Sequence, residues 1–185
     1  MSLDYAILGF LNYQPFSGYD LKKIFDTSVQ HFWSADQSQI YRVLARLTEQ
    51  GLAEMEVVAQ SDRPDRKVYH ITPAGQAALR DWLGGPIPCE ASHSASLIQV
   101  FFSGLLPDEQ VRAKFEEARQ LFSANLERLN QVPGQIQEYI RMVDSPRETY
   151  FWLLTLELGI KETQLQIEWA EKVLRMLAEQ DVPPS

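Results

Sequence analysis

The chain has 185 residues, 45% of them hydrophobic and 11% aromatic, so it is long and apolar enough for one large domain or two small ones and is not disordered by composition. No apolar run reaches the ~18 residues of a membrane-spanning helix, the N-terminus carries no basic region ahead of an apolar one, and Cys89 has no second cysteine to pair with. A reducing, cytoplasmic setting is therefore expected, with no membrane partner. The net charge of −8 argues at first against nucleic acid.

In chain order, a first helix is expected over residues 3–11, where Leu3, Ile7, Leu8 and Leu11 follow helical spacing. Pro15 and Gly18 break it. Ser17 reads as the N-cap of a second helix, with Asp20 three residues on as a capping box, and Tyr19, Leu21, Ile24 and Phe25 on a helix ending near His31. A third helix opens at Ser34 or Asp36, buries Ile40, Val43, Leu44 and Leu47, and stops at Gly51. Strands follow at about 53–59 and 66–71, joined by the charged turn Ser61-Asp-Arg-Pro-Asp-Arg-Lys67. Thr72-Pro-Ala-Gly75 starts a fourth helix reaching Leu83, and Gly84-Gly-Pro-Ile-Pro88 reads as a linker.

The second half is helical. A short apolar helix is expected over 93–104, and Pro107-Asp-Glu109 opens a long one with Val111, Phe115, Ala118, Phe122 and Leu129 on one stripe, interrupted at Pro133-Gly134. A last helix runs over about 146–179. There Leu156, Ile160, Thr163, Ile167, Ala170, Leu174 and Leu177 alternate at spacings of four and three, a heptad seam that predicts a partner helix from a second copy.

Helix, strand, charged turn, strand is the order of a winged helix, in which the helix can enter a DNA major groove and the hairpin tip can lie along the backbone. The local field matters more than the total charge. Residues 1–85 hold 8 Lys and Arg against 10 Asp and Glu, a net of −2, and residues 86–185 hold 9 against 15, a net of −6. Arg42, Arg46, Arg63, Arg66 and Lys67 fall within 26 residues of one another. Arg42 and Arg46 are candidates for phosphate or guanine contact, since arginine presents a fork of donors; each also fits a solvated helix face. Gln39 can read adenine or cap the helix. Arg63, Arg66 and Lys67 are candidate backbone contacts at the wing, weakened by Asp62 and Asp65.

These residues resemble the PadR family of transcriptional regulators. The matching features are Ser17-Gly-Tyr-Asp-Leu21, Trp33 ahead of a polar helix, Gln39-Ile-Tyr-Arg-Val-Leu-Ala-Arg-Leu47 with Glu49-Gln-Gly-Leu52, and Lys67-Val-Tyr-His-Ile-Thr-Pro-Ala-Gly75, spread over residues 1–83. The acidic helical tail is similar in layout to the larger PadR subfamily. By position, the resemblance implies that Tyr19 braces the second helix near a phosphate. It places Ser38, Gln39, Tyr41 and Arg42 at the groove, and Arg63, Arg66 and Lys67 at the wing tip. The family implies a homodimer on double-stranded DNA, usually repression, and in some members a response to small aromatic ligands.

The expected architecture is mainly α with a small β-hairpin. A winged helix-turn-helix occupies residues 1–83, a linker 84–89, and an α-helical dimerisation and effector domain 90–181, with the dimer seam at Leu156, Ile160, Ile167, Ala170, Leu174 and Leu177. Trp33, Trp82, Trp152 and Trp169 fit either a ligand pocket or, more commonly, core and interface. Tyr69 fits the core. His31, His70 and His93 are scattered without a metal-ligand spacing, Cys89 has no neighbour to lower its pKa, and no phosphate loop or nucleophile motif occurs, so neither a metal, a cofactor nor an enzyme is expected. The rival is a winged-helix protein-interaction module that binds no DNA, which the acidic balance favours.

Overall fold

The computed structural model describes residues 2–30, 32–59, 65–88 and 94–181. The chain separates into two compact units, residues 1–88 with 138–144, and residues 89–137 with 145–185.

The first unit is built on three helices and a small sheet. Helix α1 spans Ser2–Tyr13, α2 Gly18–Thr27 and α3 Gln37–Glu49. Their inward residues, Ile7, Leu8, Leu21, Ile24, Phe25, Ile40, Leu44 and Leu47, are all at most 2% exposed and form one core. The capping box expected at α2 is present, with Ser17 and Asp20 exchanging hydrogen bonds across its first turn, and α3 carries a second one in which Asp36 and Gln39 do the same. At the far end of α3, Gly51 adopts a left-handed φ of 68°, which an L side chain resists.

Strand β1 (Phe16–Ser17), β2 (Ala53–Val58) and β3 (Arg66–Ile71) make an antiparallel sheet in the order β1-β3-β2. Tyr69 sits between Phe16 on one side and Met55 on the other. Strand β1 was not expected from sequence, because two residues are too short to show a period of two. Thr72 caps α4 (Pro73–Leu83) with its hydroxyl accepting from the Gly75 amide at 3.1 Å. Helix α2 ends at Thr27, short of the expected end near residue 31, where the Thr27 and Ser28 hydroxyls bond back to Ile24 O.

The second unit contains α5 (Ala95–Phe101), a 3-10 turn at Ser103–Leu105, α6 (Asp108–Gln135) and α8 (Pro146–Ala178). Helix α7 (Gln137–Val143) lies between α6 and α8 in sequence, yet residues 138–144 belong to the first unit, where Tyr139 packs against the core. Pro133 does not interrupt α6 as expected; it sits inside the last turn. There the missing amide costs one hydrogen bond near an end that frays in any case. The helix ends at Gln135, and beyond it the Gln137 side-chain amide donates to Pro133 O at 3.1 Å.

Helices α6 and α8 run antiparallel as a hairpin. The Phe115 ring meets Trp169 edge-on at 5.2 Å, and Asn125 Nδ2 donates to Thr163 Oγ1 at 3.1 Å, so rising numbers on α6 meet falling numbers on α8. Phe115 and Leu129 on α6, and Leu156, Thr163, Ala170 and Leu177 on α8, are buried. Thr163 tolerates its place because its hydroxyl also donates to Gly159 O at 2.8 Å. Among the described residues no helix is long and apolar enough to cross a membrane.

Part of the seam expected to face a second copy is covered within the single chain. Leu156, Ala170 and Leu177 are buried within a single chain, and Ile160, Ile167 and Leu174 are partly so. The heptad spacing is satisfied by the chain's own α6, because a hairpin of long helices presents the same seam as two separate chains. Other apolar residues of α8 are exposed, among them Phe151, Leu154, Leu158 and Leu165, which share one stripe. Leu158 follows Leu156 by two residues, about 200° round the helix at 3.6 residues per turn.

Candidate nucleic-acid interface

The candidate interface starts from α3, whose buried stripe leaves Gln37, Ser38, Gln39, Tyr41, Arg42, Ala45 and Arg46 on the solvent side. Its first turn is tightly held. The Asp36 carboxylate accepts from Ser38 Oγ at 2.6 Å and from the Gln39 amide at 2.7 Å, and Gln39 Oε1 accepts from the Asp36 amide at 2.9 Å. The Ser38 hydroxyl, then the Gln39 amide, hold the Asp36 carboxyl below its ordinary range. Of the two roles open to Gln39, the structure thus shows the cap. Ser38 spends its hydroxyl proton on Asp36 and keeps its lone pairs for another donor.

Tyr41 is 40% exposed, with its ring against the start of α2. A Cβ on Gly18 would stand 2.5 Å from Tyr41 Cε1, so only glycine allows the ring to lie there. Tyr41 thereby ties the N-terminal half of α3 to α2. Tyr69 is buried, and burial, then the neighbouring Tyr41, push its hydroxyl pKa up. Tyr19, at the first turn of α2, is 67% exposed.

The arginines divide. Arg42 points into solvent, with Nε donating to Ser38 O at a long 3.4 Å. Arg46 is engaged inside the protein: Nε donates to Asp4 Oδ2 at 3.2 Å and Nη2 to Oδ1, a two-pronged pair between α3 and α1. At the root of the wing, Arg66 Nη2 donates to Asp20 Oδ2. Burial pulls the Asp20 carboxyl up, but hydrogen bonds from Ser17 and Arg66 outweigh it and leave the pKa lowered. The pairing partner of Arg66 is thus on α2, outside the wing whose own Asp62 and Asp65 were expected to weaken its field. Lys67 is exposed beside it. Arg63 and Asp62 lie outside the described residues, as do His31, Cys89 and His93.

Asp4, Gly18 and Asp20 were not singled out as parts of the interface from sequence, yet each positions one of its members. Asp20 had a visible signal in the Ser17 capping box. Asp4 had none, because its partner lies 42 residues away. Of the tryptophans, Trp33 packs on the core of the first unit and Trp82 stacks on Tyr5, while in the second unit Trp169 meets Phe115.

Comparison with known proteins bears on the whole chain. A family model described as the transcriptional regulator PadR-like family matches residues 7–81, and one described as the virulence activator alpha C-terminal region matches residues 94–178. The chain is 28% identical over 177 residues to the negative transcriptional regulator PadR of Bacillus subtilis, covering 95% of this chain and 97% of that protein. The crystal structure of that B. subtilis protein with operator DNA superposes with a TM-score of 0.82 at 28% identity, covering 96% and 99% of the two chains. Its complex with p-coumaric acid gives 0.74 at 27%, again over 96% and 99%. With the first model over the winged-helix unit and the second over the helical hairpin, in that order, the chain belongs to the PadR-like family of transcriptional regulators.

Proposed function

We propose that this protein is a cytoplasmic DNA-binding repressor, not an enzyme, that holds a pseudo-palindromic operator as a homodimer. The observation that carries the reading is α3: anchored at both ends, buried on one face, and open on the other at Tyr41 and Arg42. In this reading Arg42 reaches a base or phosphate, Tyr41 and Ser38 approach the groove, and Tyr19, Arg63, Arg66 and Lys67 touch the backbone. Two such helices in one dimer would meet half-sites one helical turn apart, or a multiple of it. The exposed α8 stripe at Phe151, Leu154, Leu158 and Leu165 is the natural seat for the second copy, since an apolar surface of that extent is otherwise left in water.

A small aromatic acid suits the chain as effector. The B. subtilis relative binds p-coumaric acid, and a cleft of about 350 Å³ in the first unit is lined by Lys23 and Arg66 together with Phe16, Tyr139 and Met142. Asp20 lines the same cleft and holds Arg66, so a carboxylate on a ring would meet Lys23 and the apolar side chains there and compete with Asp20 for Arg66. Such a ligand would act by favouring one arrangement of the two heads over another.

The test is the affinity for DNA upstream of the protein's own gene across a salt series. Removing one phosphate-bound cation should lower the slope of log K against log salt by roughly 0.9. Replacing Arg63, Arg66 and Lys67 with Gln should lower it by about two to four units per dimer, less than the roughly 5.4 of six free cations because Arg66 is shared with Asp20. Binding that shows no salt dependence would favour the protein-interaction module instead.

A further inference from the structure

Helix α3 is held to the rest of the unit at two places. Near its N-terminus, the Tyr41 ring lies on Gly18 of α2. In its last turn, the Arg46 guanidinium closes on Asp4 of α1 through two donors to two oxygens. Asp4 itself is set on a rigid base. The next residue, Tyr5, stacks on Trp82 of α4 with ring centroids 4.7 Å apart and planes 8° from parallel. The Asp4 side chain is only 15% exposed, against 45% for Arg46. The more sheltered carboxylate is the anchor to which the arginine ties α3.

We infer that Asp4 is a positioning residue for operator recognition, and that Arg46 acts through it as a strut and does not contact DNA. The inference rests on the DNA-binding reading above. Its physical content is that α3 meets the groove at a set tilt. With Tyr41 as one fixed point and Arg46 as the other, the helix cannot pivot when Arg42 engages, so ordering of α3 is complete before binding. The alternative assigns Arg46 to a phosphate, with Asp4 as its competitor. The two assignments predict opposite signs for a change that touches no residue of α3.

Asp4→Asn removes the charge and keeps the shape. If Asp4 positions α3, operator affinity falls by about two- to fivefold per head, in line with loss of one exposed ion pair, and the salt slope stays unchanged. If Arg46 is a phosphate contact, Asp4→Asn frees it: affinity rises and the slope steepens by roughly 0.9 per subunit, which overturns the inference. The charge-reversed pair Asp4→Arg with Arg46→Asp supplies the second arm. Positioning predicts that Arg46→Asp alone weakens binding and that adding Asp4→Arg restores most of it at the original slope. A double variant that binds worse than Arg46→Asp alone sinks the strut. The duplex used is the operator footprinted with wild-type protein; failure of the wild type to bind any upstream duplex removes the DNA reading itself.

Discussion

Replacing Leu158 and Leu165 with Glu should dissociate the dimer and leave the α6–α8 hairpin folded. Both leucines are largely in water in the single chain, 58% and 65% exposed, so within one chain the change should cost no more than about 0.5 kcal/mol. In a dimer seated on this stripe, four leucines would lose that exposure. Full burial of a leucine is worth ~1.5–3 kcal/mol, so burying about 60% of four gives roughly 4–7 kcal/mol, or about three to five decades in the dimer dissociation constant. Glu adds the cost of removing charge from water and pushes the loss higher. Ala170→Glu supplies the contrast. Ala170 is 0% exposed on the seam facing α6, and a charge there should unfold the hairpin by several kcal/mol. Sedimentation velocity reads the assembly and circular dichroism in urea reads the hairpin. A Leu158→Glu, Leu165→Glu protein that sediments as a dimer with wild-type affinity would show that the second copy sits elsewhere. An Ala170→Glu protein as stable as wild type would show that the inner seam is wrongly assigned.

Arg42→Ala should weaken operator binding by about 1–3 kcal/mol and narrow the gap between operator and random DNA; an equal loss on both duplexes would make Arg42 a phosphate contact. Asp20 gives a pH signature. Its folded pKa lies below the ordinary 3.8, so its contribution to stability is fully present above that value and is lost as pH falls below it, through the folded pKa. Asp20→Asn should therefore lower the urea midpoint near neutral pH, and its gap to wild type should close on acidification below 3.8. A gap that stays constant down the acid limb would mean that the charged form of Asp20 carries no stability.

Much of the first unit was legible because its signals are local. A capping box joins residues three apart, a buried stripe recurs every three or four, and Thr72-Pro73 states a helix start within two residues. The polar face of α3 followed from the same periodicity, so Arg42 could be named without coordinates. Where a signal needs more than one turn of chain to declare itself, reading failed. Strand β1 has two residues and exists only because Phe16 finds Tyr69 on β3. Pro133 reads as a breaker in isolation, but one missing amide in a last turn is cheap beside the packing that α6 gains along α8.

The order of elements and the family motifs were enough, from sequence alone, to place a winged helix in the first half of the chain and helices in the second. Tertiary structure alone decided which charges are left over for a partner. Arg46 and Arg66 look as available as Arg42 in the sequence, yet carboxylates 42 and 46 residues away hold them. It also decided which stripe of α8 faces inward. The helix carries two apolar stripes about 200° apart, and helical periodicity gives a face its spacing without giving it a neighbour. Only the return of α8 along α6 covers Leu156 and Ala170 and leaves Leu158 and Leu165 open.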